Sequence, residues 1–224
     1  MNKKILVVLI MLSLATFACS AVTFNINPPQ TVRGSGNVVS ETRAVSGFSA
    51  LSLEGSGDVD VTFGNSESAV VEADDNIVPL IETSVQNGRL VISTKNYTNY
   101  RTNNPVRIHV TMKALDEIRL SGSGNITVPD LSGDSLRVSL PGSGNITVDG
   151  TANTVDATVS GSGNVDCSGL KAKSASAKIS GSGNIQVYAS SSLDASISGS
   201  GTIQYSGNPA SVTKSVSGSG NIIP

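Results

Sequence analysis

The residues of this chain that most resemble a chemical site are eight copies of Gly-Ser-Gly, each followed by Asn, Asp or Thr and then an aliphatic residue. They begin at Gly34, Gly55, Gly122, Gly142, Gly161, Gly181, Gly199 and Gly218. A glycine-rich loop can cradle phosphate. A dinucleotide fingerprint, however, needs a third glycine opening a helix, and a P-loop needs Gly-Lys-Ser/Thr; no copy has either. Glycine- and aspartate-rich turns can hold calcium. Here the residue after the motif is Asn37, Asp58, Asn125, Asn145, Asn164, Asn184, Thr202 or Asn221, one carboxylate among eight. Neutral amides lack the charge a hard cation prefers. A weak calcium site would fall at Asp58 and Asp60 or at Asp74 and Asp75, and no cofactor is expected.

Hydrolysis or elimination on a polysaccharide needs paired carboxylates, or calcium carboxylates with a base, on one face of neighbouring elements. From Ser121 onward the chain offers six acids and five bases, scattered. The sole histidine, His109, lies in VRIHVTM out of phase with Val106, Ile108, Val110 and Met112, so it is expected to face solvent without a triad partner. A non-enzymatic protein is therefore expected; a carbohydrate-active β-helix enzyme, lyase or hydrolase, is the alternative.

The elements that carry the motif explain it better. Successive copies are 21, 67, 20, 19, 20, 18 and 19 residues apart. On both sides of each copy apolar residues alternate with polar ones, as in Val138, Leu140, then Ile146, Val148. Period-two alternation marks a strand with one buried face. A unit of about 20 residues cannot bury that face alone, but stacked copies can, so the expected fold is all-β: a parallel β-helix built from Gly-Ser-Gly-Asn repeats. Parallel crossovers are nearly always right-handed, and a right-handed coil follows by analogy. At one coil per period, Gly34 to Pro224 would hold roughly nine or ten coils. Glycine would turn the corner through positive φ. Asn125, Asn145, Asn164, Asn184 and Asn221 would stack as an amide ladder. Cys167 takes the place of Val148 and Val187, which points it inward as a small hydrophobe.

The 67-residue interval breaks the period. It reads as about three irregular coils, with a hairpin through Asn87-Gly88 and a polar loop over residues 96–105. That loop carries Tyr97, Tyr100 and Arg101, residue types suited to anchoring a ligand; a merely solvated loop is the plainer reading. The division expected is a signal peptide over 1–18, a tether over 19–33 and one β-helix domain over 34–224. Irregular coils would occupy 64–120 and regular repeats 121–224.

Lys3 and Lys4 ahead of the apolar run Ile5 to Phe17 have the form of an export signal too short to span a membrane comfortably. "TFAC" resembles a lipobox, which makes Cys19 the expected lipidation site and a lipid anchor the expected membrane partner; ordinary cleavage near Ala18 or Ala21 stays open, with a secreted or periplasmic product. The formal charge is −2, and removing residues 1–18 takes two lysines and no acids, giving 13 − 17 = −4. No nucleic-acid partner is expected from that balance.

The segments RGSGNVVSETRAVSGFSALSLEGSGDVDVTFG, EADDNIVPLIETSVQNGRLVIS and GSGTIQYSGNPASVTKSVSGSGNI resemble the GIN domain over roughly residues 40–222. That family, formerly a domain of unknown function, is described as an auto-transporter adhesin head domain. The resemblance implies a right-handed parallel β-helix in the cell envelope. Self-export needs a membrane-embedded translocator, which the sequence to Pro224 does not show, so that part of the description is not expected to transfer. The function expected is an envelope-exposed adhesin or surface binding or structural module with a protein or glycan ligand. An uncovered solenoid end templates association, which adds a homo-oligomer to the expected partners.

Overall fold

The computed structural model describes residues 30–96 and 98–224. The signal segment, Cys19 and Tyr97 lie outside the described residues. The strands are β1 (Gln30–Arg33), β2 (Val38–Arg43), β3 (Ala50–Leu53), β4 (Asp58–Phe63) and β5 (Ser68–Asp74), then a 3-10 turn at Val78–Leu80. β6 (Ile81–Gln86), β7 (Arg89–Thr94), β8 (Thr98–Arg101), β9 (Arg107–Met112) and β10 (Glu117–Leu120) follow. The regular coils are β11 (Asn125–Leu140), β12 (Asn145–Val159), β13 (Asn164–Ile179), β14 (Asn184–Ile197), β15 (Thr202–Ser206), β16 (Ser211–Val216) and β17 (Asn221–Ile223).

The chain is an all-β parallel solenoid of about five turns. Each long strand serves both faces of the coil, its pairing shifting register in between, as from Val128 to Leu131. Ile126, Ile146, Val165, Ile185 and Ile203 stack on the inside of one face, and Val138, Ala157, Ala177 and Ala195 on the inside of the other; all are at most 1% exposed. Burial of these columns is the main force holding the coils together.

Nine or ten coils overcounts the turns, because the long interval does not add coils in order. β3 and β4 pair in parallel with β10 and β11 on one side. On the other side they pair in parallel with β7 and β9, which come later in the chain. The early rung is therefore sandwiched between two later ones. Instead of three irregular coils, the interval supplies one parallel rung and antiparallel strands: β5 covers β9, β2 covers β5, and β6 covers β7. These strands close that end of both faces. The β6–β7 hairpin turns through Asn87 (φ 51°) and Gly88 (φ 75°), the two positive φ values of a tight hairpin turn.

Three motif glycines do take positive φ, as read in the sequence: Gly36 (87°), Gly57 (150°) and Gly218 (153°); the stacked ones between them are needed for a different reason. Gly122, Gly142, Gly161, Gly181 and Gly199 do not have positive φ. A Cβ on any of them would instead collide with the carbonyl oxygen of the motif glycine one rung below. The corners stack backbone on backbone: Ser143 N–H donates to Gly122 O (3.1 Å) and Ser182 N–H to Gly161 O (3.1 Å). The first copy turns at Gly36 (φ 87°) but packs against Asp74 and Thr102 rather than against another copy. Ser35 and Asn37 donate instead to the Asp75 carboxylate (2.6 and 3.0 Å).

At the last rungs, Lys214 occupies the inward column above Ala195. Its ammonium lies over the Tyr205 ring, 4.6 Å from the centroid. An inward charge on an edge strand discourages further strand addition.

Candidate functional site

The first outward face carries two columns. One runs Arg107, Asp58, Asn125, Asn145, Asn164, Asn184, Thr202, Asn221 by backbone register. Side-chain amides link its middle: Asn125 donates to Asp58 (2.7 Å), Asn145 to Asn125 (2.9 Å), Asn164 to Asn145 (2.9 Å) and Asn184 to Asn164 (2.8 Å). The bonds all point one way, so the column needs an acceptor at its foot, which the Asp58 carboxylate supplies. At the top, Asn184 Oδ1 accepts from the Thr202 N–H (3.1 Å). Asn221 stands one rung beyond this run of bonds. The second column is His109, Asp60, Thr127, Thr147, Asp166, Gln186 and Gln204, ending at Ile223. His109 is exposed, with Nδ1 3.7 Å from Asp60.

The second outward face brings together charges that look scattered in sequence. Glu117, Arg137, Asp156, Ser176 and Asp194 are register partners rung by rung. A groove of ≈ 430 Å³ lies along the first four, from Glu117 to Ser176. Their common signal was legible: each stands five residues before the first glycine of a motif copy. Glu117 is held by Arg89 at 2.6 Å, reaching past the small Ala50 between them, and Arg137 separates it from Asp156.

The polar loop is a flap rather than a free loop. β8 pairs in parallel with β1, so residues 30–33, at the end of the expected tether, are a strand. Tyr100 turns toward the core, where burial pushes its hydroxyl pKa up, and donates to Ser56 O (2.6 Å) in the second motif copy. Arg101 is exposed beside it.

Asp74, 1% exposed, pins this flap. It accepts from Thr102 (2.6 Å) and Asn104 (2.6 Å), and these bonds hold its pKa below the ordinary carboxylate value. Bonds from Ser35 and Asn37 do the same for Asp75. All four oxygens of the pair thus have protein donors. Cys167 is fully buried, and desolvation, with smaller contributions from Asp166 and Asp149, pushes its thiol up to about 12.

The family described as "Putative auto-transporter adhesin, head GIN domain" matches residues 47–209, which span the out-of-order rung as well as the regular coils. The chain belongs to the GIN-domain family. Solved structures share the GIN-domain fold. A "putative adhesin" from Bacteroides fragilis superposes with TM-score 0.72 at 24% identity, covering 86% of this chain and 99% of that one. A "putative lipid binding protein" from Parabacteroides distasonis gives 0.58 at 28%, covering 87% and 99%. A "putative adhesin" from Parabacteroides merdae gives 0.52 at 21%, covering 87% and 98%. No curated protein matches the chain.

Proposed function

We propose that this GIN-domain protein is a non-enzymatic, exported module of the cell envelope, tethered through a lipid on Cys19, that holds a protein or glycan ligand against its solenoid surface. The observation that carries this reading is the directed amide column from Asp58 to Asn184. Its side chains are ordered before any ligand arrives, so little conformational freedom is lost on contact. A rigid polar face repeated rung by rung suits an extended ligand. The adhesin description of the family agrees with that use. The lipid-binding name of the Parabacteroides distasonis protein adds lipid to the ligands worth testing.

The test is a glycan, matrix-protein and lipid array probed with the full-length exported protein. Saturable binding with no change in the ligand is the expected result. Turnover of any polysaccharide on the array would overturn the non-enzymatic reading. For the tether, Cys19→Ser should abolish palmitate labelling and membrane association; unchanged fractionation would refute the anchor.

A further inference from the structure

Arg33 and Arg101 are register partners in the parallel pair β1–β8. The backbone ladder holds them one strand spacing apart, about 4.8 Å. The placement is reinforced by the Gly34 N–H, which donates to Arg101 O (2.8 Å). Like charges directly opposite on neighbouring strands destabilise the pairing, so a third group that binds both would relieve a built-in repulsion. Both residues are exposed. Among the described residues the ion pairs engage Arg43, Arg89, Arg107, His109 and Lys113, and neither member of this pair. The acids beside Gly34 are occupied, Asp74 by Thr102 and Asn104 and Asp75 by Ser35 and Asn37; Glu54 lies farther along the trough that Arg101 borders and makes no ion pair with it.

A cleft of ≈ 250 Å³ opens at the pair, with Asn103 also on its wall. Its floor at Gly34 is bare backbone, because a side chain there would collide with Asp74 and Thr102. Arg101 also borders a second cleft of ≈ 480 Å³, lined by Thr31, Glu54, Ser56, Thr98 and Asn99 among others. One arginine thus joins an anion-sized cleft to a larger polar trough.

We propose that Arg33 and Arg101 bind the carboxylate or sulfate of an acidic glycan, with neighbouring sugar hydroxyls in the polar trough. This rests on the surface-binding reading above and names the ligand's chemistry. Guanidinium forks match two-oxygen acceptors. Apart from Glu54, the polar side chains on the trough walls beside Arg101 are mainly hydroxyls and an amide, which favour sugar over acyl chains. The chain as a whole is acidic, at −2, so attraction for a polyanion must come from a local site of this kind.

The experiment measures binding of the full-length protein to polygalacturonate, dextran sulfate, neutral dextran, and vesicles of phosphatidylglycerol or phosphatidylcholine. Salt-sensitive binding to an acidic glycan and none to dextran is expected. Arg33→Gln with Arg101→Gln should weaken it by about tenfold or more. Lys178→Gln, which removes one positive charge from an exposed position between Thr158 and Ser196, should leave it unchanged. Circular dichroism establishes that the variants remain folded, and the Arg→Lys pair should recover part of the loss, since charge without the planar fork remains. Equal affinity in the Gln pair overturns the site, as does failure to bind either acidic glycan. Binding confined to phosphatidylglycerol vesicles overturns the glycan assignment. If the Gln pair still holds whatever ligand the array identifies, this site falls and the surface-binding reading stands.

Discussion

Gly163 sits directly over Gly144: the place a Cβ of Gly163 would take is filled by the Gly144 carbonyl oxygen, and the next residue, Asn164, donates its N–H to that oxygen at 3.2 Å. The corner is a backbone ladder with no room for a Cβ at its glycine positions. Gly163→Ala must push two rungs apart or break this bond, and should cost about 2 kcal/mol or more in chemical denaturation. Gly133→Ala is the matched control. A Cβ there meets nothing within 4 Å, so it should be neutral or stabilise by about 0.5 kcal/mol. Equal effects at the two sites would refute the stacking account.

The amide column should respond to direction. Asn164→Ala removes a bond given to Asn145 and one received from Asn184, and is expected to cost about 1 kcal/mol because the column is exposed. Asp58→Asn keeps an acceptor for Asn125 and should stay within about 0.5 kcal/mol. If both variants lose the same stability, the column acts through shape alone.

One hydroxyl latches the flap to the second motif copy, beside the Asp74 pin. Tyr100→Phe removes the 2.6 Å bond to Ser56 O and should speed amide hydrogen exchange in residues 98–101 while leaving exchange in 125–197 unchanged. Uniform exchange changes along the solenoid would contradict a local latch.

Stability should fall with acid in a definite window. Asp74, Asp75 and Glu67 have folded-state pKa values below the ordinary ones through bonds from Thr102, Ser35 and the Gly47 amide respectively, with further donors beside them. A depressed carboxylate stabilises the fold above its unfolded pKa and loses that contribution as pH falls through the folded one. For the two aspartates the loss begins near 3.8 and continues below it. Asp74→Asn should lower stability at neutral pH and flatten part of the acid decline. Parallel curves for the two proteins would count against the pin.

Cys167 should be inert in the folded protein. With no exposed surface and a thiol pushed up to about 12, it should resist iodoacetamide at pH 8 and react on unfolding in denaturant. Labelling of the native protein at the rate of a free thiol would show that the coil opens there.

Patterns that repeat within one period were legible without coordinates. The alternation around Ile146 and Val148 places them inward, Cys167 falls into the same column, and Asn87-Gly88 marks its hairpin, because each depends on local geometry that residue type alone selects. The tertiary structure decided what joins distant residues. Val59 has Ile126 on one side and Ile108 on the other, and nothing in an apolar alternating strand says which of many equivalent partners will stack on it. The same holds for Arg33 beside Arg101, Tyr100 on Ser56, and Asp74 between Thr102 and Asn104. Even the glycines, conspicuous in the sequence, revealed why they are required only when one rung was laid on the next, since close approach belongs to a pair of backbones and not to either alone.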